Sequence, residues 1–442
     1  MTPSSRTILT LMLAAVAAAG CSETGAKRPP PTYLRVLNAA PAYAAIDFYR
    51  VKRTEASGLQ LGSADGFTFD SDTYSFSFHA PTPDGQTTMT IASATATLDE
   101  AHEYFAIATD DNGTGDLLIV GEPVRTGSVS LTVVNAAAGQ GPFDVYFVAP
   151  GTDPATTTPV GSLAYGDDAH ADSLAAGDYE VVVTDAGNAA AILFRSASIT
   201  IGDGTSFLVA IAPEGGRGTV PFAVYGLTTL AGRLVDSTQP SAIRVVNAAS
   251  DMLNRDLYVD ADYTVPYVGD TPFGTVTSYT PIAAGARQLD VTPAGNPSVI
   301  EATLSATVEP GRYYTTFIAG NPTDGVQMPT IVEDHRPLAG LAQVRIVNAA
   351  HTFAYVDFYV VPPGTDTTTL PPVVSRARDA ANTPIVSFTP GDYELVLRDQ
   401  ATDTIVYGPM PLTLTANTVQ LLLATDAVGG STLDVQFVDD TP

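Results

Sequence analysis

One short phrase is written four times in this chain. "RVLNAAPAYAAIDFYRV" (residues 35–51) returns as "LTVVNAAAGQGPFDVYFV", "IRVVNAASDMLNRDLYVD" and "VRIVNAAHTFAYVDFYVV". The recurring asparagines are Asn38, Asn135, Asn247 and Asn348, separated by 97, 112 and 101 residues. Nine residues after each stands an aspartate: Asp47, Asp144, Asp256 and Asp357. Two residues further comes a tyrosine: Tyr49, Tyr146, Tyr258 and Tyr359. A period of that length is a whole domain rather than one turn of a solenoid. The 442 residues therefore divide into four units, each near the usual size of a single domain.

Each unit opens on a strand. The residues four and two before the asparagine are apolar: Leu34 and Val36, Leu131 and Val133, Ile243 and Val245, Val344 and Ile346. Between them stand Arg35, Thr132, Arg244 and Arg345, so the period of two predicts a half-buried strand with one polar, solvated face. "AAGDYEVVVTDAG" and "TPGDYELVLRDQA" mark a later strand after a glycine turn, with "AAGARQLDVTPAG" and "PDGQTTMTIASAT" as looser copies. "EYFAIATDDNGTGDLLIV", "SFLVAIAPEGGRGTVPFAVYG", "YYTTFIAGNPTDGVQMPTIV" and "VQLLLATDAVGGSTLDVQFV" read as hairpins. No helical period is sustained beyond the N-terminal stretch. About seven short strands in about 100 residues predict all-β, immunoglobulin-like antiparallel sandwiches, with barrel closure left open. The expected divisions are 33–126, 127–238, 239–338 and 339–442, with protease cuts near 126, 238 and 338. Strung end to end, four such domains would reach on the order of 140 Å.

The N-terminus reads as an address. Arg6 precedes "ILTLMLAAVAAAG", an apolar run too short to span a bilayer comfortably. It ends in "AAGC", and Cys21 is the chain's one cysteine. Small residues before that cysteine resemble a lipobox, which implies a signal peptide over 1–20 and lipidation of Cys21. Ala18 replaces the leucine usual at that place, and an ordinary signal peptide cleaved nearby is the rival reading. Ser22, in place of aspartate, points to the outer membrane of a Gram-negative envelope, periplasmic or surface-facing. Residues 21–32, with "RPPPT", read as an extended tether.

The paired elements "RVLNAAP…IDFY" and "RVVNAAS…RDLY" resemble the opening of the bacterial domain-of-unknown-function family 4397. The resemblance covers essentially the whole mature chain in four copies. It implies extracytoplasmic modules without known catalysis, and it supplies no ligand. Arg255 departs from the pattern, because the other copies are apolar just before the aspartate.

Charge and composition exclude more than they assign. Twenty Lys and Arg stand against 47 Asp and Glu, a formal charge of −27, which disfavours nucleic acid. Five histidines and no Ser or Cys nucleophile motif leave little for acid–base or covalent catalysis, so no enzyme and no cofactor are expected. Two stretches are weak metal candidates. Asp110 and Asn112 in "DDNGTGD" imitate the start of a calcium loop, but its twelfth position is Gly121, and a hairpin turn explains it. Asp168, His170 and Asp172 would share one strand face, with a solvated edge as the plainer reading. "PGTD" at 150–153 and 363–366 reads as a turn shared by units 2 and 4. The signature Asn, Asp and Tyr are expected to serve the fold. Two functions stay open: an array of modules binding a protein or glycan, or a structural spacer of the envelope. The remaining expected partner is the membrane, through Cys21.

Overall fold

In this computed structural model the described residues are 31–124, 128–215, 222–228, 231–236, 239–251, 253–321, 323–377, 384–427 and 432–441. The signal peptide, Cys21 and the tether up to residue 30 lie outside them, as do the expected cuts at 126 and 238.

The first unit shows the plan. Its strands are β1 (Thr32–Asn38), β2 (Ala45–Arg50), β3 (Arg53–Gln60), β4 (Ala64–Phe69), β5 (Asp72–Pro81), β6 (Thr88–Leu98), β7 (His102–Asp111) and β8 (Thr114–Pro123). They form two four-stranded sheets, ordered β4-β1-β7-β8 and β3-β2-β5-β6. Leu34, Val36, Phe48, Phe76 and Phe78 fill the space between them. The other three units repeat this arrangement, so the chain is four β-sandwiches and no barrel closes. All pairings are antiparallel except one per unit. The opening strand runs parallel to the seventh strand of units 1, 3 and 4 and the eighth of unit 2, as Tyr33↔Glu103 to Asn38↔Ala108 in the first unit and Ala342↔Thr418 to Asn348↔Ala424 in the last. The predicted hairpins are present, β7–β8 among them.

The loose copy in the first unit lies one strand further on than its counterparts. "PDGQ" is the β5–β6 turn, and the first unit's counterpart of "GDYEVVVTD" is β5, "DTYSFSFHAP". Both strands pair with the strand that carries the signature aspartate. Copy 1 lacks the glycine that made the other three recognisable.

The opening strand keeps an exposed residue in unit 1, Tyr33, but is buried on both faces in units 2 and 4. Val129–Asn135 and Ala342–Asn348 are buried at every position. Residues two and four before each asparagine face the unit's own core. The alternate residues face another unit. Leu37, Ala39, Phe105 and Ile107 of unit 1 pack on Val134, Ala136, Leu208 and Ala210 of unit 2. Val246, Ala248 and Phe317 of unit 3 pack on Val347, Ala349, Leu421 and Leu423 of unit 4. Equivalent positions meet in both cases, an internal version of the self-complementary contact of a two-fold dimer. The Ala-Ala after each asparagine now has a reason. The first alanine lies between units and the second lies in the unit's own core, and small side chains let both layers approach closely.

The polar residues on that face are buried in partnerships. Arg244 pairs with Asp440 of unit 4 through both ends of its fork, at 2.6 and 2.7 Å. It also donates to Thr315 at 2.8 Å and stands over the Tyr279 ring. Glu333 sits between Arg244 at 3.3 Å and Arg345 at 2.8 Å. In unit 1, Arg35 pairs with Glu103 and donates to the Thr228 carbonyl of unit 2.

The two pairs also touch. The segment joining units 3 and 4 lies against unit 1: the Ala339 amide donates to the Ala42 carbonyl at 2.8 Å, and Arg336 donates to the Pro41 carbonyl at 3.0 Å. The expected extended string is therefore corrected to a packed assembly. Leu338, at one expected cleavage point, is 7% exposed. The physical cause is apolar surface on the outer face of the opening sheets, which a separated domain would leave in water.

Candidate functional site

The four asparagines make the same contacts. Each is fully buried. Each side-chain Oδ1 accepts the amide two residues on: Ala40 at 3.1 Å, Ala137 at 3.0 Å, Ala249 at 3.3 Å and Ala350 at 3.1 Å. Each Nδ2 crosses to the other sheet and donates to a carbonyl: Leu59 at 2.9 Å, Leu163 at 3.2 Å, Thr271 at 2.8 Å and Arg376 at 3.2 Å. Those carbonyls all belong to the strand counterpart to β3. One amide side chain thus closes the turn that leaves the first sheet and ties it to the second. Only a side chain carrying both donor and acceptor does both.

The aspartates tie the second strand to its neighbours. Asp47 accepts the Gly58 amide, Asp144 the Gly187 amide, and Asp256 the Gly295 amide, each at 2.8 Å. Asp256 also accepts the Asp270 amide at 2.6 Å, whereas Asp357 accepts the Ser375 hydroxyl. The partners differ between copies, so the shared feature is the acceptor rather than one contact.

These contacts make a prediction. In the full chain, Asn348→Ala orphans buried backbone groups and is expected to destabilise unit 4 by about 1–3 kcal/mol. Asp357→Ala, with a hydroxyl partner near the surface, is expected to cost less, about 1 kcal/mol. Urea unfolding measures both. An unchanged midpoint for Asn348→Ala would mean the residue does not carry the fold.

The metal candidates separate. Asn112 and Gly113, with φ of 49° and 86°, form the two-residue turn of the β7–β8 hairpin. Asp110 is buried, and its oxygens accept the Ala42 and Gly113 amides. Burial raises its pKa despite those bonds. On Asp168–Leu174, Asp168 and His170 do share a face, with His170 Nε2 2.8 Å from Asp168. The other ring nitrogen lies 3.1 Å from the Thr132 hydroxyl and 3.7 Å from Glu122. Asp172 is exposed. Among the described residues no group of three His, Cys, Asp or Glu is placed to hold a metal ion.

The repeated "PGTD" does more than turn the chain. Gly151 and Gly364 adopt φ of 76° and 78°, which glycine alone adopts without strain. Their amides donate to Glu180 and Glu394, and Asp153 and Asp366 cap short 3-10 turns. Arg195 and Arg398 reach these loops through the Thr152 carbonyl and the Thr367 hydroxyl, and Tyr146 and Tyr359 are buried against Val182 and Val396 of the neighbouring strand. In unit 3, Tyr263 packs on Tyr258 at 5.4 Å and donates to Asp290. Unit 1 joins β2 to β3 through Val51 and Lys52 alone, and its Tyr49 stays half-open. Sequence reasoning treated the four tyrosines as equals; the difference lies in loops whose lengths were in plain view.

Clefts occur between units. One of about 380 Å³ is lined by Glu214, Tyr225, Arg233, Arg312, His335 and Arg336. Its charges are engaged: Arg233 with Glu214, and Arg336 with Asp334. Another of about 430 Å³ lies between Asp110, Gln140, Pro213 and Asn417.

No curated protein sequence matches the chain. A family model described as a domain of unknown function, DUF4397, matches residues 32–146 and 241–359. Each match starts at the opening strand of one unit and ends on the signature tyrosine of the next, Tyr146 or Tyr359. The units joined by each match are the ones that pack face to face, 1 with 2 and 3 with 4. With more than half of its length matched in two tandem segments, the chain belongs to the DUF4397 family.

Proposed function

We propose that this is a non-enzymatic cell-envelope lipoprotein, anchored through Cys21 in the outer membrane, that presents its sandwiches for binding a protein or glycan. The observation that carries the binding reading is the contrast between constant scaffold and variable surface. The asparagine contacts recur in all four units, while the outer face of the second sheet takes three forms, one shared by units 2 and 4 and a different one in each of units 1 and 3. Packing of the units against one another supports presentation over reach, which disfavours the alternative of a spacer. Loops and faces held by a rigid scaffold are where binding groups concentrate.

The anchor rests on the "AAGC" context of Cys21. Cys21→Ala is expected to release the protein from membranes into the salt-soluble fraction; continued flotation with membranes would overturn the anchor. For binding, labelled full chain carrying Cys21→Ala is titrated onto envelope fragments, untreated, protease-treated or periodate-treated. Saturable binding lost on one treatment identifies protein or glycan as the ligand. Binding that never saturates would overturn the array in favour of the spacer.

A further inference from the structure

The opening sheets face each other in pairs, so the outer faces of the second sheets are what the assembly turns outward. The four copies act as controls for one another. In units 2, 3 and 4 the signature tyrosine is 3%, 2% and 5% exposed. In unit 1 the β2–β3 turn is two residues long, Tyr49 is only half-buried, and His79 stands beside it with ring centroids 4.3 Å apart. Burial holds the His79 imidazole below its usual pKa, against the pull of Asp47, so the ring is neutral at neutral pH.

The rest of that face is a grid of hydroxyls. Cross-strand pairs on β5 and β6 are Thr73 with Thr97, Ser75 with Thr95, and Ser77 with Ser93. The first two pairs are hydrogen-bonded at 2.8 and 3.1 Å. The alternate residues, Tyr74, Phe76 and Phe78 on β5 and Ala92, Ala94 and Ala96 on β6, point into the core. Successive pairs are about 7 Å apart along the strands, so the three rows run about 14 Å. Asp47 is the one carboxylate among them. It is directed to the Gly58 amide rather than to His79, so Ser77, His79 and Asp47 do not form a charge relay. In a chain of formal charge −27, this is a hydroxyl-bearing surface with a single carboxylate and a half-buried aromatic ring at its edge.

We infer that the outer face of β2, β5 and β6 in unit 1 binds a neutral polysaccharide strand. The Tyr49 ring packs against a sugar face, and Ser75, Ser77, Ser93 and Thr95 exchange hydrogen bonds with its hydroxyls. The chemistry fits because each serine or threonine both donates and accepts, as sugar hydroxyls do, and an aromatic ring offers apolar contact beside a polar rim. A basic protein would find one carboxylate and no cluster of them on this face, and the face's cations, Lys52 and Arg53, stand only at its β2–β3 edge. The inference rests on the binding-array reading and names its site and ligand class.

The test uses the full chain carrying Cys21→Ala, with cellulose, chitin and starch granules as the immobilised probes. Saturable retention on at least one is expected. Tyr49→Ala should weaken it tenfold or more, and so should Thr95→Lys, an exposed position where misfolding is not at issue. Tyr355→Ala, an exposed tyrosine on unit 4, should change nothing, and urea midpoints should match across the variants. No retention on any probe overturns the inference. So does retention that both face variants leave intact, which would move the site elsewhere and leave the array reading standing. Failure of the array reading itself would show instead as absence of saturable binding to envelope fragments.

Discussion

Replacing Arg255 with alanine is expected to destabilise unit 3 by about 3–5 kcal/mol, because it leaves two carboxylates facing a buried hole. Arg255 occupies a core position held by Ile46, Phe143 and Val356 in the other units, and its side chain is wholly buried. The guanidinium grips Asp251 with both prongs, at 2.7 and 2.8 Å, and Glu301 through Nε at 3.0 Å. It also donates to the Leu253 carbonyl. Burial works against ionisation of Asp251, but the bonds from Arg255 and from the Leu253 amide outweigh it, and its pKa lies below the ordinary carboxylate value. A depressed folded-state pKa gives stability that is present above the unfolded pKa of about 4 and lost as pH falls through the folded value. The wild-type chain should therefore lose part of unit 3's stability at acid pH, and Arg255→Ala should show a flatter acid limb. Urea unfolding of the full chain between neutral and strongly acidic pH measures both. A midpoint shift equivalent to less than about 1 kcal/mol at neutral pH would show that the pair is not what holds this corner. Arg255→Ile combined with Asp251→Leu and Glu301→Leu is expected to recover most of the loss, since apolar replacement of a buried ion pair is often neutral.

The second large effect belongs to the contact between units. Ala248→Asp places a carboxylate among Val347, Ala349, Leu421 and Leu423, while Arg244 and Arg345 of this interface are already paired with Asp440 and Glu333. Desolvating an unpaired charge costs several kcal/mol, set directly against the packing of Val246 and Phe317 on Val347, Leu421 and Leu423. Units 3 and 4 should part while each keeps its own core, because Ala248 does not face the core of unit 3. Solution scattering should show a larger radius of gyration, and the 334–341 segment should become open to protease. Ala136→Asp should do the same to units 1 and 2. Unchanged scattering and an intact proteolytic pattern in both variants would mean that the pairs are not held by these faces.

Arg255 and Ala248 show where reading the chain alone stops. The arginine was visible as a departure from the repeat, but its two partners come from residues 251 and 301, and nothing in the spacing joins them. The alanines were visible four times over, yet their two directions follow only from which sheet lies on which. The polar residue between Leu34 and Val36 looked like a solvated face because charge normally marks one. Arg244 instead ends 2.6 Å from Asp440, 196 residues away, with its cost of burial offset by a second unit's carboxylate.

By itself the sequence determined what is local and periodic. Four units, strands of period two, a hairpin at Asn-Gly, and an asparagine at each sheet crossing follow from side-chain alternation and turn chemistry, which act between residues close in the chain. The tertiary structure decided what depends on pairs distant in the chain. Those are the parallel pairing of each unit's opening strand with a late strand, the face-to-face packing of units, and the partners of the buried arginines. An apolar side chain does not encode which apolar surface will cover it, since burial is rewarded equally by its own core and by a neighbour's. Only the folded chain, by bringing particular surfaces within reach, makes that choice.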